Sequence, residues 1–170
     1  HRLRARHVIL AAGALATPHL LLASGLEERS PARDAVGRYL TRHCNRVVFG
    51  VFPARPDRGH RFVKQVAITD FYFGHQWTGA GKLGVLQQMA VPPLSVVAQH
   101  IPRWMVPAAG QVLSRSAALL GIAEDEPQHR NGVTIDRSDH DRFGLPRLTV
   151  HHDYTMRDRQ AGDALARCAG

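Results

Sequence analysis

The chain has 170 residues, enough for one ordinary domain with a hydrophobic core. Its 22 Lys and Arg residues outnumber its 14 Asp and Glu residues and give a formal net charge of +8. The basic residues are scattered without a long run or interleaved aromatic residues, which argues against a nucleic-acid partner, and no apolar run approaches the roughly 20 residues of a membrane span. Two cysteines are too few for a disulfide framework and are expected to be free thiols.

The first predicted elements are a strand, a turn and a helix within residues 6–26. Residues His7 to Leu10 form an apolar run typical of a strand buried in a parallel sheet, and a turn of small residues follows. Thr17 and Pro18 suit the start of a helix, and Gly25 suits its end. Small residues in such a turn serve either close packing of helix and strand or the approach of a phosphate or flat cofactor ring, and periodicity alone favours neither.

The order of residues in this stretch is more specific than its periodicity. The run VILAAGALATPHLLLASGL resembles the second signature of the glucose-methanol-choline (GMC) family of flavin-dependent oxidoreductases, G-A-x-x-[ST]-P-x-L-L-x-x-S-G-[IL]. The resemblance implies that FAD is the cofactor. The residues that it places at the cofactor are Ala12, Gly13, Ala14, Thr17 and Pro18.

A second segment, VGRYLTRH at residues 36–43, resembles the GMC pattern V-G-R-N-L-x-x-H. Tyr39 stands where that pattern has Asn. The resemblance implies that Gly37 and His43 contact the flavin, whereas the residues alone favour a short amphipathic turn with an incidental histidine.

The middle of the chain changes from strand and helix to successive strands. Strands are predicted at Arg46–Pro53 and Phe62–Ile68, with an aromatic end at Asp70–Phe73. Phe71, Tyr72 and Trp77 are candidates for stacking on a substrate, although aromatic residues of a half-buried sheet are more often core. Residues 82–93 are predicted to be irregular or briefly extended, and 102–120 to form an amphipathic helix.

Residues 123–154 resemble the GMC stretch E-x-x-P-x-x-x-N-x-V-T-L-D followed by D-x-[FWY]-G-L-P. They predict a strand at 132–136, a turn-rich connection and a returning strand at 147–152. The nearby acidic and histidine side chains match no zinc or calcium spacing, so they are expected to cap turns and pair with arginines; they are Asp136, Asp139, His140, Asp141, His151 and His152. Thr155 to Asp158 has capping-box spacing and predicts a helix start.

Together these features predict an α/β chain, α+β overall, with part of a Rossmann-like FAD-binding βα unit followed by a largely antiparallel substrate-domain sheet with packing helices. We expect an internal fragment with residues 1–48 in the FAD-binding domain, 49–155 in the substrate-binding domain and 156–170 in a truncated helix. The family resemblance implies hydride transfer from a CH-OH group to flavin N5. The family's N-terminal glycine-rich G-x-G-x-x-G phosphate motif is not found, because residues 79–84 fit its spacing but follow no strand of a βαβ unit. The H-x-x-G-T catalytic motif is absent too, so no catalytic residue is predicted here.

The resemblance implies a small-molecule alcohol or sugar as substrate and leaves open a redox partner as electron acceptor. Within the family, the sequence looks closer to bacterial dehydrogenases than to oxidases. A non-catalytic basic binding module and a degenerate family member are the alternatives, and the cellular location, cytoplasmic or periplasmic, stays open. We expect the 170-residue chain alone neither to bind flavin stably nor to turn over.

Overall fold

The computed structural model describes residues 4–56, 64–75 and 79–170. The helices are α1 (Gly13–Ala23), α2 (Leu94–Val97), α3 (Val106–Leu113) and α4 (Met156–Ala169). The strands are β1 (Cys44–Val51), β2 (Ala67–Ile68), β3 (Gly74–His75), β4 (Gly79–Ala80), β5 (Gly84–Met89), β6 (Ser116–Ala123), β7 (Gly132–His140) and β8 (Pro146–His151). Short 3-10 turns occupy Glu27–Arg29, Arg33–Ala35 and Arg103–Met105.

The chain divides into two compact units, each built from two stretches of sequence. The first unit comprises His1–Arg42 and Glu126–Asp153, and the second comprises His43–Asp125 and Tyr154–Gly170. Helices and antiparallel sheets occur together, which confirms the predicted α+β class. The predicted functional domains, 1–48 and 49–155, stay a prediction.

The first unit consists of α1 packed on the antiparallel β7–β8 hairpin. The segment that follows α1 joins this hairpin through backbone hydrogen bonds. Val133 N donates to Gly37 O at 2.7 Å, and Leu40 N donates to Asn131 O at 3.0 Å. Two of the segments that carry the family resemblance, 36–40 and 131–133, therefore pair directly with each other.

The second unit contains a four-stranded antiparallel sheet in the order β1-β6-β5-β2, with α4 packed on one face. The core lies between α4 and that face, where Cys44, Leu86 and Ala123 from the strands pack with Ala164 and Leu165 from the helix. Both cysteines are free thiols, as predicted. Within the described part of the chain, every helix is too short or too polar to cross a lipid bilayer.

The opening βα unit differs from its prediction at two points. His7–Leu10 is not a strand, and Val8 and Ile9 are 77% and 88% exposed. An apolar run forms a strand only when neighbouring backbones accept and donate its hydrogen bonds, and no described strand pairs with these residues. The helix begins at Gly13 rather than at Thr17, so that Pro18 lies inside it.

The end of α1 is as predicted. Gly25 adopts a φ of +64°. Its N–H donates to Leu22 O at 3.3 Å, and Leu26 N donates to Leu21 O at 3.1 Å. This pair of hydrogen bonds is the Schellman arrangement, which requires a residue in the left-handed conformation just after the helix.

Two predictions for the second unit are wrong because long-range pairing overrides local pattern. The helix predicted over 102–120 ends at Leu113, and Ser116–Ala123 is instead the strand β6. This strand pairs with β1 on one side and β5 on the other, and these neighbours supply the hydrogen-bond partners of its backbone N–H and C=O groups. Residues 84–89, predicted to be irregular or briefly extended, form the six-residue strand β5 for the same reason.

The remaining predictions for the strands are largely confirmed. The strand predicted at 46–53 occupies Cys44–Val51, and β7 starts at Gly132 as expected but continues to His140. Of the strand predicted at 62–68, residues 67–68 form β2, while 62–63 lie outside the described residues. Asp70–Phe73 forms a turn.

The capping box at the start of α4 is confirmed. Asp158 N donates to Thr155 Oγ1 at 3.1 Å, and Thr155 N donates to Asp158 Oδ2 at 2.8 Å. We expect Thr155→Ala to lower the free energy of unfolding by about 1 kcal/mol, the usual value of an N-cap side chain. Urea unfolding of this variant beside Thr41→Ala, an exposed threonine outside any helix, measures the difference; equal losses would contradict the prediction.

Candidate functional site

Five of the predicted cofactor residues lie at the start of α1. Ala12 is the N-cap, Gly13 is the first helical residue with a φ of +85°, and Ala14 follows. Ala12 N donates to Thr17 Oγ1 at 3.1 Å, which ties the chain before the helix to its second turn. Pro18 lacks the N–H that would otherwise bond to the Ala14 carbonyl.

The start of α1 has the properties of a binding site for a polar or anionic group. Among the described residues, no side chain caps its first turn, and that turn contains no acidic residue. Its free N–H groups and the positive end of the helix dipole therefore face outward. A Cβ added at Gly13 would meet no atom of the described residues within 4 Å, so there is space beside the first residue of the helix.

These residues fit a flavin cofactor. The amides of the first turn suit its polar groups, and small side chains allow close approach of the backbone. The exposed apolar residues beside them, Ile9, Leu10 and Leu15, suit a flat ring.

Gly37 lies in the first unit beside the later part of α1, and His43 belongs to the second unit. Gly37 has a φ of +77°, and an added Cβ would lie 2.8 Å from Val133 O and 3.2 Å from Leu22 Cδ1. Its lack of a side chain is thus required for packing against the hairpin and the later part of α1. His43 is exposed at the start of the second unit, where its carbonyl accepts a hydrogen bond from Tyr154 Oη at 2.9 Å. Their contacts with a cofactor stay predictions.

The described residues leave the sheet face opposite α4 largely uncovered, and we call it the open sheet face. Register places Val47, Leu120 and Gln87 side by side across β1, β6 and β5, and strand alternation puts them opposite the core residues. Phe49 in the next row is 51% exposed. Gln87 lies in the middle of this mostly apolar surface, and the other polar side chains of these three strands on the same face, Asn45 and Ser116, lie toward its ends.

Comparison with known proteins identifies the family. Residues 1–45 match the family model described as GMC oxidoreductase. The chain is 31% identical to a C-glycoside 3-oxidase of Arthrobacter globiformis over 98% of its own length and 30% of that protein. It is 28% identical to a C-glycoside 3-oxidase of Microbacterium trichothecenolyticum over 92% of its length and 28% of that protein. The chain belongs to the GMC oxidoreductase family. It spans less than a third of the length of these relatives.

The GMC motif residues near β7 and β8 have structural roles. Asn131 is 1% exposed. Its Nδ2 donates to Asp153 O and its Oδ1 accepts from Asp153 N, both at 3.0 Å. Asp136 accepts from Ser138, and Asp139 forms an ion pair with Arg147, so these acidic groups cap turns and pair with arginine as predicted. Among the described residues, no group of three His, Cys, Asp or Glu side chains is arranged to hold a metal ion.

Asp141 of the D-x-[FWY]-G-L-P motif organises the β7–β8 turn. Hydrogen bonds from Leu145 N at 3.0 Å and Phe143 N at 2.8 Å hold the pKa of its carboxyl below the ordinary value. Because the pKa of Asp141 is lower in the folded chain than in the unfolded chain, its carboxylate stabilises the fold at any pH above the unfolded pKa. That stabilisation is lost as the pH falls through the folded pKa.

We therefore expect the stability difference between the native chain and Asp141→Asn to be constant above about pH 5 and to shrink as pH falls below about 4. Thermal melts from pH 7 to pH 3 measure this difference. Asp34→Asn is the control, since Asp34 is an exposed aspartate of the same unit. A difference independent of pH would show that the charged form has no special role.

The aromatic residues proposed for substrate stacking have other partners. Phe71 packs against the hydrophobic core. Tyr72 Oη donates a short hydrogen bond to Glu124 Oε1, which raises the pKa of Tyr72, and its ring packs edge-to-face on Phe73. Trp77 lies outside the described residues.

Sequence reasoning missed Gln87 and the open sheet face around it. In a strand, Val85, Gln87 and Met89 share one face, with one polar residue between two apolar ones. The neighbouring glycine and prolines instead favoured an irregular segment.

Proposed function

We propose that this chain is part of an FAD-dependent oxidoreductase that oxidises a CH-OH group of a sugar or related alcohol. The supporting observation is the open start of α1, formed by the residues that match the GMC family. The names of both relatives support a glycoside as the substrate class.

In this proposal the two units have different tasks. The first-turn amides of α1, with Ala12, Gly13 and Ala14, hold a polar part of FAD. The open sheet face lies under the sugar, where Gln87 forms a hydrogen bond with a hydroxyl. When bound, FAD supplies the acceptor for a hydride from the substrate carbon. The base that removes the hydroxyl proton belongs to another part of the full-length protein.

The test is the visible spectrum of the full-length protein that contains this chain. We expect a flavin spectrum that is bleached anaerobically by a sugar or a C-glycoside. A protein that stays colourless after reconstitution with FAD would overturn the proposal and favour a non-catalytic role. The 170-residue chain alone is expected to be colourless.

The same protein preparation can show whether oxygen or another molecule accepts the electrons. Both relatives are oxidases by name, whereas the sequence favours a dehydrogenase. Hydrogen peroxide formed during aerobic turnover identifies an oxidase. Reduction of an artificial dye without peroxide identifies a dehydrogenase.

Gln87 and Gln160 provide a matched pair for testing the open sheet face. Gln87 lies on that face, whereas Gln160 is an exposed residue of α4, which packs on the opposite face. We expect Gln87→Leu to lower kcat/KM for the sugar about tenfold, the effect of losing one hydrogen bond to a neutral group. Gln160→Leu should leave kcat/KM within about twofold. Equal effects of the two variants would remove Gln87 from the substrate site.

A further inference from the structure

A cavity of about 590 Å³ lies in the second unit, between the adjoining ends of β5 and β6 and the helical segment that connects them. Its walls come from residues 88–94, from Gly110 and Leu113 of α3, and from residues 116–118. Proline at two consecutive positions, 92 and 93, stiffens one wall. A Cβ added at Gly110 would lie 3.1 Å from Leu94 Cδ2, so the helical segment is closely packed at this point.

The described residues that line the cavity are uncharged and mostly apolar. Its serine hydroxyls already donate to helix carbonyls: Ser114 Oγ to Gln111 O at 2.9 Å, and Ser116 Oγ to Val112 O at 2.8 Å. Gln88 Oε1 accepts from Gln65 N at 3.4 Å. Few polar groups of this lining remain to pair with the several hydroxyl groups of a sugar ring, so burying such a ring here is unfavourable. The lining instead suits an apolar group without charge.

We infer that this cavity binds the non-sugar group of a glycoside substrate, an uncharged apolar group such as an aromatic ring. The inference rests on the proposed function and names the part of the substrate that this segment recognises. The volume lies within the roughly 300–1,000 Å³ of small-molecule sites. A ring filling it would be held by burial of apolar area, without polar partners.

The position of the cavity agrees with this assignment. Met89 and Ala118 are cross-strand partners that line it. They lie on the open sheet face, one row from Gln87 and Leu120. A sugar over Gln87 would therefore place its attached group beside the cavity.

The test measures binding of two probes to the full-length, FAD-loaded protein by calorimetry. C-phenyl glucoside carries the aromatic ring, and 1,5-anhydroglucitol is the same sugar ring without it. Ala90→Trp puts a large side chain at an exposed residue of the cavity lining. Ala108→Trp is the matched control, because Ala108 is an exposed residue of α3 that does not line the cavity.

We expect Ala90→Trp to weaken binding of C-phenyl glucoside about tenfold and to leave 1,5-anhydroglucitol unchanged. Ala108→Trp should alter neither. A second variant, Leu113→Ala, enlarges the cavity and should improve binding of C-naphthyl glucoside relative to C-phenyl glucoside. The inference is overturned if Ala90→Trp weakens both probes equally, or neither.

Binding is measured without turnover, so this inference and the proposed function fail in different ways. If C-phenyl glucoside binds and Ala90→Trp weakens that binding, but the flavin is not bleached, the result would contradict oxidation and support binding in the cavity. Bleaching of the flavin by C-phenyl glucoside and by 1,5-anhydroglucitol, with no effect of Ala90→Trp on binding, would support oxidation and contradict binding in the cavity.

Discussion

Replacing Gly132 by Ala is expected to lower the free energy of unfolding of the first unit by at least about 3 kcal/mol. A Cβ at this position would lie 1.9 Å from Gly37 O and 3.0 Å from Arg38 Cα, which are backbone atoms. No side-chain rotation relieves such a contact, so the backbone of residues 37–40 must move away. That movement breaks the 2.7 Å hydrogen bond from Val133 N to Gly37 O.

Gly144→Ala in the β7–β8 turn is the matched control. Its φ is +80°, but an added Cβ would meet no atom within 4 Å. This variant is expected to lose only about 1–2 kcal/mol, the strain of a left-handed alanine. Urea unfolding of both variants, followed by circular dichroism, measures the difference. Similar losses in the two variants would mean that segment 36–40 does not pair closely with β7.

This contact explains why the sequence motifs were informative. Gly37, Asn131 and Gly132 lie within or beside motifs of the family resemblance, and the structure brings these motifs together in one backbone arrangement. Gly37 and Gly132 allow two chains to touch, and Asn131 holds Asp153 by two hydrogen bonds. Residues required for backbone geometry are readable from sequence because few side chains can replace them.

Local chemistry was also predictable at element ends. The capping box of Thr155 and the left-handed Gly25 each depend on residues within one turn of the chain. The mistakes occurred where partners are remote in sequence. Strand β6 has a spacing of apolar residues that also suits a helix, and its pairing with β1 and β5 decides between them. Residues 7–10 have a strand-like composition without a described strand beside them.

The candidate cofactor site leads to the second large effect, on flavin content. Gly13→Ala in the full-length protein is expected to reduce FAD affinity at least about tenfold. The added methyl group would project into the space beside the first residue of α1, and alanine would strain the φ of +85° that turns the first amides outward. The ratio of flavin absorbance to protein absorbance after purification, followed by titration with FAD, measures the loss.

Gly25, two residues beyond the other end of α1, separates these two causes. It also has a positive φ, +64°, and a Cβ there would likewise meet no atom within 4 Å. Gly13→Ala and Gly25→Ala should therefore show a similar loss of stability, about 1–2 kcal/mol. Only Gly13→Ala should lose flavin, because only the start of the helix offers free N–H groups to a ligand. Equal loss of flavin from both variants would attribute the effect to helix stability, and full retention in both would place the cofactor away from the start of α1.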